Sequence, residues 1–168
     1  GQLIQEEKFK GFKTEHKSTG FSEASKIVTK VDRIAEEYIL KALSGSIEKF
    51  DLGVLTEEQI DNGSRFKKAY FWCIDPLDGT LPFTEGKSGY AVSIALVSQN
   101  GDSVLGVVFD PVEGNLYSAI KGLGANKNGN EFKKSKVHKP VFTFVIDKSF
   151  PTSLDRTLVL SKFLEKHN

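Results

Sequence analysis

The chain has 168 residues and a formal net charge of +1. Hydrophobic residues make up 39% and charged residues 27%, the balance of a soluble globular protein long enough to bury a core. So mild a charge gives no argument for a nucleic-acid or membrane-surface binder, and no apolar run approaches the ~20 residues that span a bilayer.

The first ten residues, GQLIQEEKFK, lack the apolar stretch of a secretory signal. The chain starts at Gly1 and contains no methionine, so it is expected not to be a complete primary translation product. Apolar spacing predicts a helix over Ser22–Leu43, with Ile27, Val31, Ile34, Ala35, Tyr38, Ile39 and Ala42 inward. Lys30, Arg33, Glu36, Glu37 and Lys41 then face solvent, and Ser44-Gly45 supplies the stop. Asn62-Gly63-Ser64 reads as a turn. Strands are predicted over Ala69–Ile74, Tyr90–Val97, Val104–Phe109, Asn115–Ile120 and Val141–Ile146. The second and third form a hairpin around Asn100-Gly101-Asp102, and Gly122–Ala125 and Asn128-Gly129 mark tight turns. Thr152–His167 reads as a closing helix, with Thr152 and Asp155 as a capping box. Helix, antiparallel strands, then helix make an α+β fold, expected as a single domain over residues 1–168.

The chemistry concentrates in Trp72–Phe83, WCIDPLDGTLPF, where Asp75 and Asp78 end an apolar run. Asp-Pro and Asp-Gly are ordinary turn dipeptides, so the pair also reads as a strand ending. Electrostatics offers another reading. Two carboxylates about 4 Å apart repel by roughly 4 kcal/mol at an effective dielectric near 20, and a hard cation such as Mg²⁺ or Mn²⁺ relieves that. Pro76 stiffens the segment, Gly79 allows close backbone approach, and Pro82-Phe83 can open a helix whose N–H groups face an anion. Further carboxylates lie upstream in Glu57-Glu58 and at Asp32, which also suits a helix start.

The order Val28-Thr29, Asp32, Thr56-Glu57-Glu58, then Trp72, Asp75-Pro76-Leu77-Asp78-Gly79-Thr80 and Phe83 resembles the inositol monophosphatase superfamily. The likeness continues through Tyr90–Leu96, Gly106–Pro111 and Gly122–Gly129, covering roughly Ser22 to Lys133. That family contains Mg²⁺-dependent, lithium-sensitive phosphatases: inositol monophosphatases, 3'(2'),5'-bisphosphate nucleotidases and some fructose-1,6-bisphosphatases. The resemblance implies that Glu57 binds a first metal and orients the attacking water, and that Asp75 bridges two metals. It implies that Leu77 offers its carbonyl, that Asp78 binds a second metal, and that Thr80 holds the water with Asp32 behind it as proton acceptor. The N–H groups of Gly79 and Thr80 would take the substrate phosphate. Two or three Mg²⁺ ions, a small phosphorylated metabolite as partner, a cytoplasmic setting and a homodimer common among relatives are implied with it. Nucleic-acid polymer and membrane are not partners on this reading.

The family's second half supplies another metal-binding aspartate in a Trp-Asp context, and the only tryptophan here is Trp72. The chain therefore reads either as the metal-binding half of a longer enzyme or as a shortened relative kept for binding or regulation. Tyr90–Ile94 leans toward the inositol phosphatase branch, with the bisphosphate nucleotidases as the alternative. The single cysteine, Cys73, reads as a small buried hydrophobe and fits a reducing compartment. Lys127, Lys133, Lys134, Lys136 and Lys139 read as a solvated basic loop.

Overall fold

A computed structural model describes residues 1–11, 13–16, 27–132 and 161–162. The chain divides into two units, Gly1–Lys133 and Lys134–Asn168, and everything below except one helical pair belongs to the first. The strand expected at Val141–Ile146 lies outside the described residues, as do the basic positions from Lys133 onward. Of the expected closing helix only Ser161 and Lys162 are described, and both are helical.

The first unit opens with helix α1 (Gln2–Lys10). Lys8 and Lys10 sit in its last turn, where cations suit the helix dipole, and Gly11 ends it at φ 79°. A two-stranded antiparallel ribbon follows, β1 (Thr14–His16) with β2 (Ile27–Thr29), and leads directly into α2 (Lys30–Lys49). The helix therefore begins eight residues after its expected Ser22 start and runs six past its expected Leu43 end. Its start is fixed by a capping box: Asp32 accepts the Thr29 N–H at 2.8 Å while the Thr29 hydroxyl accepts the Val31 N–H at 3.1 Å. At the other end Gly45 costs about 1 kcal/mol relative to Ala. Continuation is favoured by Ser46, whose hydroxyl donates to the Leu43 carbonyl at 2.7 Å and accepts from Trp72 Nε1 at 3.1 Å.

Then come β3 (Gly53–Thr56), a 3₁₀ turn (Ser64–Phe66), β4 (Tyr70–Asp78) and the short helix α3 (Thr80–Thr84). The strands β5 (Ala91–Ser98), β6 (Ser103–Asp110), β7 (Asn115–Ile120), β8 (Gly124–Lys127) and β9 (Asn130–Glu131) complete a seven-stranded sheet in the order β3-β4-β5-β6-β7-β8-β9. The α+β expectation holds, with one difference: β3 runs parallel to β4, while every other neighbouring pair is antiparallel.

Helices α1, α2 and α3 bury their apolar sides on one sheet face. Ile4, Val31, Ala35, Leu77, Phe83, Tyr90 and Val92 form the core, with Leu3, Ile39, Ile94 and Phe109 packed against it. Phe83 is fully buried, worth about 2–3 kcal/mol in transfer from water. Its ring meets Tyr90 edge-on at 5.1 Å, and Lys8 Nζ lies 5.7 and 5.1 Å from the two ring centroids. Gln5 donates to the Tyr90 hydroxyl at 3.1 Å and to the Pro111 carbonyl at 2.9 Å, tying α1 to the start of β5 and the end of β6. Tyr38 and Ala42, expected inward on α2, are exposed; Glu36, expected outward, is buried.

Candidate active site

Strand β4 carries the acidic motif, and it does not stop at Ile74 as expected. It continues through Asp78, with a register shift against β5 between Asp75 and Asp78. Pro76 has no N–H to give to a ladder, so this irregular stretch is where a central strand tolerates it. Gly79 then turns the chain at φ 91° into α3. A Cβ on Gly79 would lie 2.6 Å from the Gly89 carbonyl oxygen and 3.0 Å from Tyr90 Cα, so conformation and space both require glycine.

Parallel pairing places the third carboxylate. Thr56 stands level with Ile74, and the next N–H, that of Glu57, donates to the Ile74 carbonyl at 3.2 Å. The ladder thus carries Glu57 to the level of Asp75, and the two side chains share a hydrogen bond. Asp75 is half-buried, while Glu57 and Asp78 are exposed, so the cluster opens to solvent. Burial, then the charge and hydrogen bond of Glu57, then the charge of Asp78 push the Asp75 carboxyl up to about 8.

From Asp75 the contacts continue toward α2. The Leu77 N–H donates to Asp75 Oδ1 at 3.1 Å, and the Leu77 carbonyl accepts from the Thr80 hydroxyl at 3.2 Å. The Thr80 hydroxyl also reaches Asp32 Oδ1 at 3.1 Å. It has one proton, so it donates to one of the two at a time. Asp32 is fully buried, and its other oxygen accepts from the Thr29 N–H at 2.8 Å and the Thr29 hydroxyl at 2.6 Å. Burial raises its carboxyl above the ordinary range, opposed by the hydrogen bonds from Thr29 and Thr80. Glu57, Asp75, Leu77, Thr80 and Asp32 therefore form one continuous chain of contacts across β3, β4, α3 and α2, with Asp78 at its exposed rim and Gly79 at its bend.

Cys73 fits the expected non-nucleophilic role though it is only partly buried, whereas Glu36 departs from its expected exposure. Cys73 is half-buried, and burial followed by the Asp75 charge raises its thiol, which disfavours a reactive thiolate. Glu36 is 2% exposed, and its Oε2 accepts the Glu58 N–H at 3.0 Å. The available signal was its position four residues after Asp32, on the stripe of Val31, Ala35 and Ile39.

The whole chain, residues 1–168, matches the inositol monophosphatase family. It belongs to that family. A curated Thermotoga maritima relative, a fructose-1,6-bisphosphatase/inositol-1-monophosphatase, is 37% identical over 123 residues, 71% of this chain and 43% of its own length. The solved extragenic suppressor protein suhB from Bartonella henselae is 30% identical with a TM-score of 0.69, over 81% of this chain and 50% of that one. An IMPase/NADP phosphatase solved with Mg²⁺ and phosphate is 25% identical with a TM-score of 0.64, over 77% of this chain and 48% of that one. The chain thus spans less than half the length of the curated relatives it matches.

Among the described residues no group of three or more His, Cys, Asp or Glu side chains stands ready as a metal cluster. The donor chemistry nevertheless fits a hard divalent cation. Burial and the neighbouring Glu57 carboxyl raise the Asp75 carboxyl, and a divalent cation would neutralise the same pair. No helix among the described residues is long and apolar enough to cross a membrane.

Proposed function

We propose that the chain is the metal-binding part of a divalent-metal-dependent phosphomonoesterase acting on a small anionic phosphate ester, of the inositol monophosphate kind. The observation that carries this is the unbroken chain from the Glu57–Asp75 pair through Leu77 to the Thr80–Asp32 pair. Glu57, Asp75 and Asp78, with the Leu77 carbonyl, would hold Mg²⁺. Bound there, the cation supplies an acidified water and neutralises phosphoryl charge.

The protein's own part is to place and orient. Asp32 takes the Thr80 hydroxyl proton in a hydrogen bond, which leaves the Thr80 oxygen as an acceptor toward a water. The capping contacts of Thr29 hold Asp32 in that orientation. The N–H groups of Gly79, just before α3, and of Thr80, its first residue, would receive the phosphate. Burial of Leu77 and Pro76 keeps the floor of the site dry and rigid.

Phosphate release from inositol 1-phosphate is expected to require Mg²⁺, to fall with Li⁺, and to be lost in Asp75→Asn. Turnover without metal, or unchanged turnover in that variant, refutes the mechanism. Comparison with 3',5'-bisphosphoadenosine separates the inositol phosphatase reading from the bisphosphate nucleotidase alternative. The similarity to an extragenic suppressor protein favours a second reading, a binding or regulatory role. Mg²⁺ uptake with no turnover on either ester supports that one.

A further inference from the structure

Glu36 is used by none of the chemistry above, yet it is an acid buried at 2% exposure within the inward stripe of α2. A carboxylate is costly to bury unless its lone pairs are filled. Its Oε2 accepts the backbone N–H of Glu58 at 3.0 Å, linking residues 22 apart in the chain. The preceding peptide N–H, that of Glu57, donates to the Ile74 carbonyl on β4 at 3.2 Å. Glu57 is therefore gripped on both flanks, by β4 before it and by α2 after it.

The same helix grips the other arm of the site. Asp32 lies one turn before Glu36 and bonds the Thr80 hydroxyl at 3.1 Å. Positions four apart share a helix face, about 6 Å along the axis. One rigid element thus touches both the turn that presents Glu57 and the helix start that presents Thr80.

We propose that Glu36 is a positioning residue, and that α2 acts as a ruler setting Glu57 against Asp75 and Thr80. The inference rests on the metal-dependent reading of the site, but it has a readout that does not. Glu36→Gln keeps an oxygen acceptor, Glu36→Ala removes it, and Glu36→Met removes it while filling the volume. In the folded chain without metal, Glu58 amide exchange is expected to accelerate at least about tenfold in the Ala and Met variants and to stay near wild type in Gln. The Val31 amide, held by Thr29, is expected to remain protected in all three. By calorimetry, Mg²⁺ is expected to bind about 10- to 100-fold more weakly to Ala and Met, with Gln restoring the affinity.

If the wild-type chain takes up no Mg²⁺, the metal reading falls, and amide exchange alone decides the role of Glu36. If Mg²⁺ binds and the Ala and Met variants match wild type, the ruler is refuted while the metal site stands. Unchanged Glu58 exchange refutes it under either condition. Should Ala fail to fold, Met and Gln carry the test.

Discussion

If the Glu57–Asp75 pair holds the cation as proposed, the Asp75 carboxyl makes metal uptake a proton-releasing event. With its pKa near 8 in the metal-free chain, only about 9% of it is ionised at pH 7. Metal ligands bind deprotonated, so each Mg²⁺ must displace roughly 0.9 proton at pH 7 and about 0.1 at pH 9. Apparent affinity should then rise roughly ninefold from pH 6 to 7, about sixfold from 7 to 8, and less than about twofold from 8 to 9. The assay is Mg²⁺ calorimetry in buffers of different ionisation enthalpy, where the slope of observed heat against buffer heat counts released protons. A slope near zero at pH 7 refutes the reasoning, as does proton release that does not decline by pH 9. Either result means that the Glu57–Asp75 pair is not what the cation neutralises.

Other outcomes follow from the same geometry. Gly79→Ala forces a Cβ against the Gly89 carbonyl at positive φ and should cost about 1–3 kcal/mol in denaturant unfolding. Thr80→Val keeps the shape and removes the hydroxyl donor to Asp32; it should cost about 1–3 kcal/mol and abolish phosphate release, while Thr80→Ser retains both. The pH dependence has a definite sign. Asp32 and Asp75 both have raised folded pKa values, so these two groups bind more protons in the folded chain than in the unfolded one above about pH 4. Their contribution is full below the unfolded pKa and is lost as pH rises through the folded values, up to about 8 for Asp75. In EDTA, wild-type stability should therefore decline relative to Asp75→Asn between pH 4 and 8, read from urea midpoints; parallel curves contradict the shift.

Part of this was legible in sequence because residue type alone carried it. Asp75-Pro76-Leu77-Asp78-Gly79-Thr80 joins two acids, a stiff residue and a glycine in six positions, and the structure shows local contacts for Asp75, Leu77 and Thr80 and a required glycine at Gly79, with Asp78 exposed. The strands β5, β6 and β7 were predicted to within a residue because Asn-Gly and Glu-Gly turns bracket apolar runs. The β8 and β9 strands escaped because they are short and carry Asn and Lys rather than β-branched residues. Helix α1 escaped because its three apolar residues, Leu3, Ile4 and the exposed Phe9, scarcely show a period over nine positions. The displaced start of α2 reflects a competition that periodicity does not see. Ile27 and Val28 continue the apolar spacing, but the Thr29–Asp32 cap and pairing with β1 claim them for a strand. Glu36 was assigned to solvent by residue type, against the phase of the helix that contains it. The nearness of Glu57 to Asp75 was unreadable locally, because it depends on a parallel register between segments with a long connection between them.

That parallel register separates the site from its own wiring. A chain that leaves the end of β3 must return along the sheet to enter β4 from the same side, so the connection between Glu57 and Tyr70 passes the start of β3, opposite the end that leads to Glu57. There Ser64 and Arg65 close against Gly53 at the start of β3, and the exposed Asp61 and Asn62 side chains accept the N–H groups of Gly63 and Ser64. Extra residues at Asn62-Gly63 are expected to lengthen the connection while leaving the β3–β4 register in place. An extra residue within Gly53–Thr56 instead turns Glu57 to the opposite face of the sheet. Length is thus expected to be tolerated in the connection and not in β3, where a single added residue would disconnect the acid pair.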